Sequence, residues 1–98
     1  MVVKILIHRL VPKEKARELI PFIRQLRVLA TSQKGYISGE TLKSLDRPDT
    51  FIVISTWQSP DAWEKWLLSK ERQEIQEKVD ALLGGKTEYE MFQYGFSE

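Results

Sequence analysis

The segment from Phe51 to Leu67, FIVISTWQSPDAWEKWL, is the most informative part of the chain, because it passes from a strand through a helix cap directly into a helix. Phe51 to Ile54 is an unbroken apolar run, which indicates a strand covered on both faces. Ser59 is suited to accept a hydrogen bond from the first free amides of a helix, and Pro60 suits the first helical position. The stretch therefore predicts a strand that ends at Trp57 and a helix that begins at Pro60.

The rest of the chain divides into strands and helices by the period of its apolar residues. Gly39 interrupts the second predicted strand and marks a bulge or a close approach of another group to the backbone. Gly84 and Gly85 end the last predicted helix. In chain order, the pattern predicts a strand at 2–10, a helix at 13–32, strands at 36–45 and 51–57, helical segments at 60–68 and 70–83, and a strand at 87–95.

This order predicts an α+β fold of the ferredoxin-like, split βαβ type (βαββαβ), with a four-stranded antiparallel sheet and the helices on one face. The 98 residues are interpreted as a single domain, 1–98. The first strand is apolar on both sides, since Leu6 and Leu10 alternate with Ile5 and Ile7. Leaving about five such side chains exposed would forgo several kcal/mol at ~25 cal/mol per Å². We therefore expect a homodimer whose two sheets pack face to face.

Composition excludes several function classes. The chain has no cysteine and one histidine, which removes thiolate chemistry and the common zinc and iron–sulfur sites. Its net charge of +1 gives no long-range attraction for nucleic acid or an anionic membrane. No apolar run approaches the ~20 residues of a transmembrane helix, and the first residues, MVVKILIHRL, lack the order of a signal peptide. We expect a cytoplasmic protein with no nucleic-acid partner and no membrane partner.

Two local patterns resemble binding motifs, and both have a simpler explanation. Asp46 and Asp49 flank a turn that contains Arg47 and Pro48, so we interpret them as turn formers and propose no metal site. The segment 34–36, KGY, resembles the start of an RNA-recognition strand motif. The aromatic residues that should follow are absent from that strand, which supports the expectation of no nucleic-acid binding.

The second strand, the third strand and the helix after them carry a wider resemblance. The segment 35–42 (GYISGETL), the turn with Pro48, the strand end 55–57 (STW) and the segment 59–66 (SPDAWEKW) together resemble the antibiotic biosynthesis monooxygenase (ABM) domain family. The resemblance covers nearly the whole chain and implies a dimeric α/β barrel. Similar domains include cofactor-free quinone-forming oxygenases, haem-degrading enzymes and members without an assigned activity.

The haem-degrading members of this family make the most specific prediction, because their site residues can be compared with this sequence one by one. They use an asparagine on the first strand, a tryptophan on the second helix and a histidine one helical segment later. By position, these correspond to His8, Trp66 and Gln76. A glutamine amide is a poor substitute for imidazole as a haem ligand, so we expect no haem and no other cofactor.

A cofactor-independent oxygenase needs a dry apolar cleft, a base or hydrogen-bond partner, and aromatic walls. The resemblance implies His8 and Trp66 as catalytic residues, and His8 is the only side chain that titrates near neutral pH without help. Tyr36, Trp63 and Gln76 are the expected substrate-binding residues. The expected ligand is a small aromatic, quinol-like or otherwise apolar molecule.

These residues also have structural interpretations, and a second function class stays open. His8 beside Arg9 fits a structural or surface histidine, Trp63 fits core packing, and Gln76 lies in a charge run typical of a solvated face. The alternative function is a non-catalytic dimeric module that binds a small apolar ligand. A pocket lined by His8 and Trp66 would favour the enzyme, whereas a cleft filled by aromatic and leucine side chains would favour the module.

Overall fold

The computed structural model describes residues 1–96, and its elements follow the predicted order. The predicted α+β, ferredoxin-like fold is confirmed, and most predicted boundaries agree with the structure within two residues. In chain order the elements are β1 (Val3–Leu10), a short 3-10 helix (Lys13–Lys15) that leads into α1 (Ala16–Thr31), β2 (Tyr36–Lys43), β3 (Thr50–Trp57), α2 (Pro60–Leu67), α3 (Lys70–Leu83) and β4 (Glu88–Gln93).

The strands form one antiparallel sheet in the order β2-β3-β1-β4. β1 and β3 therefore occupy the centre, as expected for the two most apolar strands. In β1, Val3, Ile5, Ile7 and Arg9 are buried, whereas the intervening residues are more exposed. The buried residues pack against α1 and α2, so the odd-numbered residues of β1 mark the face that the helices cover.

The second face of the sheet is apolar at its centre, as the sequence predicts, and it carries charged residues such as Lys4, Glu40 and Glu90 around this centre. Leu6 and Ile54 face each other across the central strands, and His8 pairs with Ile52 on the same face. Leu10, Leu42 and Phe92 on this face are exposed in the single chain. The even-numbered residues of β1 thus belong to a surface that the helices of the described chain leave open.

The connections around α2 and α3 fix these helices with few loop residues. Ser59 Oγ accepts a hydrogen bond from the Ala62 amide at 3.1 Å, and Ser69 Oγ accepts one from the Arg72 amide at 3.2 Å. Both serines are the caps of the helices that follow them. Gly35 precedes β2 with a φ of 91°, and a Cβ on this residue would lie 2.5 Å from Ala62 Cβ.

α1 packs on the covered face through an apolar side that includes the buried Leu19. Pro21 lies inside this helix and has no amide hydrogen, so it cannot donate to the Arg17 carbonyl one turn earlier. Within residues 1–96, none of the helices is long and apolar enough to cross a membrane.

Candidate functional site

A cleft lies between α1 and the covered face of the sheet, and it has a larger and a smaller chamber. Both chambers are lined by Arg9, Ile23, Thr41 and Val53, so they are adjacent. The larger chamber has a volume of about 340 Å³ and an almost wholly apolar lining. An apolar cavity of roughly 150 Å³ accommodates benzene, so this chamber has room for roughly two fused rings. The remaining residues that line it are Val11, Ala16, Leu19, Ile20, Arg24 and Phe51.

The smaller chamber, of about 70 Å³, has an aromatic wall formed by Trp66 and Tyr36. Trp66 stacks on Trp57 with ring centroids 6.5 Å apart, and Tyr36 meets Trp57 edge-on at 5.4 Å. A Cβ on Gly39 would lie 2.9 Å from the Tyr36 hydroxyl, and the strand register shifts between Tyr36 and Ser38. Gly39 itself pairs regularly with Ser55, so of the two alternatives predicted for Gly39 the close approach is confirmed and the bulge is wrong. The glycine leaves the space that the phenol occupies.

Arg9 occupies the junction of the two chambers. Its side chain is only 8% exposed, and its Nη2 donates to Gln76 Oε1 at 3.3 Å. Its buried Nε has no hydrogen-bond partner within residues 1–96. Burial lowers the pKa of Arg9, and Arg72 lowers this pKa further, against the opposing influences of Tyr89 and Asp80. The cleft thus contains a buried cation with an unsatisfied donor.

Gln76 hydrogen-bonds Arg9 and is not itself part of the cleft lining. Its Oε1 accepts from Arg9 and from Arg72, the latter at 3.5 Å. Its Nε2 donates to Asp80 Oδ1 at 2.8 Å and to Thr87 Oγ1 at 2.7 Å. The interpretation of Gln76 as part of a solvated face is wrong, because the side chain is buried in a network of protein partners.

Arg72 joins this network to β4. It lines the smaller chamber, and its Nη2 donates to the hydroxyl of Tyr89. Its guanidinium also lies over the Tyr89 ring, 5.0 Å from the centroid. Burial raises the pKa of Tyr89 above its ordinary value, although the nearby arginines oppose this shift. The phenol of Tyr89 is therefore neutral near pH 7 and leaves the charge of Arg72 uncompensated.

The lining of the cleft is positively charged. Arg9, Arg24, Arg27 and Arg72 line its two chambers, and no aspartate, glutamate or histidine of residues 1–96 is among the lining residues. Arg27 on α1 is exposed, and its Nη2 donates to Thr41 Oγ1 on β2 at 3.1 Å. The apolar space is thus bordered by cations with no carboxylate among them.

The structure brings two of the predicted site residues together and separates the others. Trp66 and Tyr36 both line the smaller chamber. Trp63 is buried in the core against Trp57 and is not among the residues that line the cleft. Gln76 is likewise behind the lining, where it contacts Arg9. Its position is that of a residue that orients another side chain.

A pocket lined by both His8 and Trp66, the arrangement that would favour the enzyme, does not occur within residues 1–96 of one chain. Successive residues of a strand point to opposite faces, so His8 faces away from the helices, whereas Arg9 faces the cleft. His8 Nε2 instead lies 3.3 Å from Glu90 Oε1 on the open face. This placement corrects the expectation that His8 shares a cleft with Trp66, because the sheet itself lies between them.

Two arginines of the site were missed at the sequence level, although each had a signal. Arg9 continues the period-two series of buried residues in β1. The other members of this series are apolar, so the charge of Arg9 hid its place in it. Arg72 lies three residues before Ile75 and seven before Val79, and this spacing puts the three residues on one side of α3. Helical spacing thus places Arg72 on the inner side of α3. Its charge suggested a surface residue, so this position was overlooked.

Comparison with known proteins relates this fold to one family. The model of the family named antibiotic biosynthesis monooxygenase matches residues 1–78. SnoaB from Streptomyces nogalater, described as a cofactor-independent oxygenase, is similar in structure with a TM-score of 0.83 and 18% identity, over 98% of this chain and 95% of that chain. Among curated proteins, none matches the sequence.

Two further solved structures have the same fold. A conserved protein from Methanosarcina mazei Go1 has a TM-score of 0.87 and 17% identity, over 97% of this chain and 94% of that chain. Rv0793 from Mycobacterium tuberculosis has a TM-score of 0.84 and 12% identity, over 99% of this chain and 98% of that chain. At such identities the structural likeness shows the fold alone.

Proposed function

Since the chain belongs to the antibiotic biosynthesis monooxygenase family, we propose that it is a cofactor-independent monooxygenase that oxidises an aromatic or quinol-like small molecule. The observation that carries this proposal is the apolar chamber of about 340 Å³, which shares lining residues with the smaller chamber that contains Trp66 and Tyr36. Its size suits a fused ring system, and its lining is almost wholly apolar. SnoaB, with the same fold, is described as a cofactor-independent oxygenase, which adds support to the proposal.

The chemistry needs only the substrate and dioxygen. An activated CH₂ carbon of the substrate loses a proton, and the resulting carbanion passes one electron to O₂. The radical and superoxide combine at that carbon, the peroxide takes up a proton, and loss of water leaves a carbonyl group. One oxygen atom enters the product and the other leaves as water, so no further reductant is consumed.

In this proposal the chain positions the substrate and stabilises charge. The ring system occupies the larger chamber, Trp66 packs against the part of it that enters the smaller chamber, and the Tyr36 hydroxyl hydrogen-bonds a substrate oxygen there. Gln76 contributes indirectly, because it holds Arg9. Trp63 supports the wall through the core. A catalytic role for His8 stays a prediction that this proposal does not use, since His8 lies across the sheet from the cleft.

The proposed enzyme is a homodimer whose sheets pack face to face. The support is the exposure of Leu10, Leu42 and Phe92 on the open face of the sheet. We expect sedimentation equilibrium at micromolar concentration to give a dimer, and Ile54→Glu in the centre of this face to give a monomer. Val28→Glu, at an exposed apolar position of α1, is the matched control and should stay dimeric. A monomeric wild type would contradict the proposal. The cytoplasmic location stays a prediction.

Oxygen consumption with a panel of anthrones and hydroquinones tests the proposed activity. We expect uptake above the buffer rate with at least one anthrone, and incorporation of one atom from ¹⁸O₂ into the product. Trp66→Phe should slow the reaction, whereas Trp63→Phe, which makes the same change outside the cleft lining, should slow it much less. Uptake equal to buffer for the whole panel would remove the enzyme for these substrates. Ligand binding without uptake would instead favour the non-catalytic module.

A further inference from the structure

A separate polar pocket lies at one end of the sheet, outside the cleft. It has a volume of about 460 Å³ and forms where the end of β1 meets the β2–β3 turn and the loop between α3 and β4. We propose that this pocket binds phosphate, either free or as the phosphate group of a small molecule, through Arg47 and Lys86. This role is additional to the proposed oxygenase activity and independent of it.

Two cations of the pocket have no counter-charge within the described chain. Arg47 lies in the turn between β2 and β3, and Lys86 lies in the loop before β4. Within residues 1–96 the one ion pair joins His8 and Glu90, so neither Arg47 nor Lys86 has a carboxylate partner. Both side chains are therefore available to an anion that enters the pocket.

The loop between α3 and β4 adds backbone donors to these cations. The Gly84 amide donates to the Asp80 carbonyl at 2.9 Å and so completes the last turn of α3. The next two amides, those of Gly85 and Lys86, have no backbone acceptor within residues 1–96. A Cβ on Gly85 would meet nothing within 4 Å, so the backbone there is open to a ligand. Successive free amides of this kind bind anions.

The charge of the pocket is positive. Glu88 is the one carboxylate among its lining residues, whereas Arg9, Arg47 and Lys86 are cations. Arg9 is buried and hydrogen-bonds Gln76, so it contributes positive potential without direct contact. The pocket thus concentrates positive charge, although the whole chain carries a net charge of only +1.

These donors suit a phosphate group better than a carboxylate. A phosphate group has up to two negative charges and at least three acceptor oxygens, so it can contact Arg47, Lys86 and an amide together. A carboxylate has one charge and two oxygens, which leaves one of the two cations unpaired. Because solvent screens both cations, we expect a modest affinity.

The single histidine of the chain provides a direct probe of this pocket. His8 lines it, so the proton NMR signals of the imidazole should shift saturably as inorganic phosphate is added at constant pH and ionic strength. Sulfate, which has the same tetrahedral shape and a double charge, should shift the same signals. Acetate at the same concentration should have little effect.

Substitutions in the pocket test which groups hold the anion. Arg47→Met and Lys86→Met should each weaken phosphate binding by about two- to fivefold, the effect of one solvent-exposed ion pair. The double variant should weaken it by about tenfold. Glu88→Gln removes the opposing carboxylate and should strengthen binding. Arg17→Met and Lys70→Met make the same changes at exposed positions outside the pocket and should leave the affinity unchanged.

His8 signals that do not shift saturably in the wild type would overturn the inference, as would an equal response to acetate. An unchanged affinity in the Arg47→Met/Lys86→Met variant would also overturn it, because the anion would then bind elsewhere. If the second subunit of the proposed dimer closes this end of the open face, phosphate cannot enter, and the first of these results follows. The titration contains no ring compound and no turnover, so its outcome is independent of the oxygenase assay.

Discussion

Replacement of Gly35 by alanine should destabilise the protein through two separable effects. The residue has a φ of 91°, a conformation that costs an L-residue about 1–2 kcal/mol. The new Cβ would also lie 2.5 Å from Ala62 Cβ in α2, and forcing a methyl group into such a packed position costs about 1–3 kcal/mol. Gly35→Ala should therefore lower the free energy of unfolding by about 2–5 kcal/mol.

Gly84→Ala is the matched control for the backbone effect. Gly84 has a φ of 71°, and a Cβ there would meet nothing within 4 Å. It should cost only the backbone part, about 1–2 kcal/mol. Urea unfolding followed by the fluorescence of the buried tryptophans, at one fixed protein concentration, measures both values, and an unchanged m-value supports the comparison.

The double variant Gly35→Ala/Ala62→Gly isolates the contact. Ala62→Gly alone should cost about 1 kcal/mol, because glycine is a poor helix former. The double variant should be more stable than the sum of the two single effects predicts, by roughly the 1–3 kcal/mol of the relieved contact. Strict additivity, or a Gly35→Ala cost no larger than that of Gly84→Ala, would refute the reasoning.

Three further changes test other parts of the structure. Gly39→Ala places a Cβ 2.9 Å from the Tyr36 hydroxyl, so it should reduce turnover of an accepted anthrone more than it reduces stability; unchanged turnover would show that the Tyr36 position is unimportant. Ser59→Ala removes the acceptor of the Ala62 amide and should cost about 1 kcal/mol in urea unfolding, whereas a cost near zero would mean that water replaces the cap. Burial raises the pKa of Tyr89, so the folded protein retains a proton that the unfolded chain loses, and stability should fall as the pH rises from about 10 through the higher folded-state pKa. Tyr89→Phe should remove that part of the fall in unfolding free energy, and an identical pH profile in both proteins would contradict the shift.

The parts of the fold that local chemistry determines were predictable from the sequence. The segment from Phe51 to Leu67 carries its strand pattern, its serine cap and its proline within one short stretch, and the structure follows it closely. The bounds predicted for α3, 70–83, also agree with the structure, since Ser69 precedes the helix and Gly84 ends it. These signals depend on neighbours in sequence, so they are visible without the fold.

The candidate site was less predictable, because it depends on which face of β1 the helices cover. A shift of one residue along the strand exchanges His8 for Arg9 in the cleft. The network behind Arg9 joins residues far apart in sequence, such as Arg9 and Gln76, and no local pattern reveals it. The aromatic wall was easier to predict, since Trp66 and Tyr36 lie at positions to which the family resemblance assigned a role.

Pro21 lowers the cost of bending α1 where this helix forms the wall of the apolar chamber. Leu19, Ile20 and Ile23 of the chamber lining flank this proline, and the helix lacks one backbone hydrogen bond there. A helix that lacks this hydrogen bond bends at a lower free-energy cost than an uninterrupted one, so we expect the breadth of the chamber to adapt to its ligand. Tolerance should accordingly be broad for substituents on the ring that occupies the larger chamber.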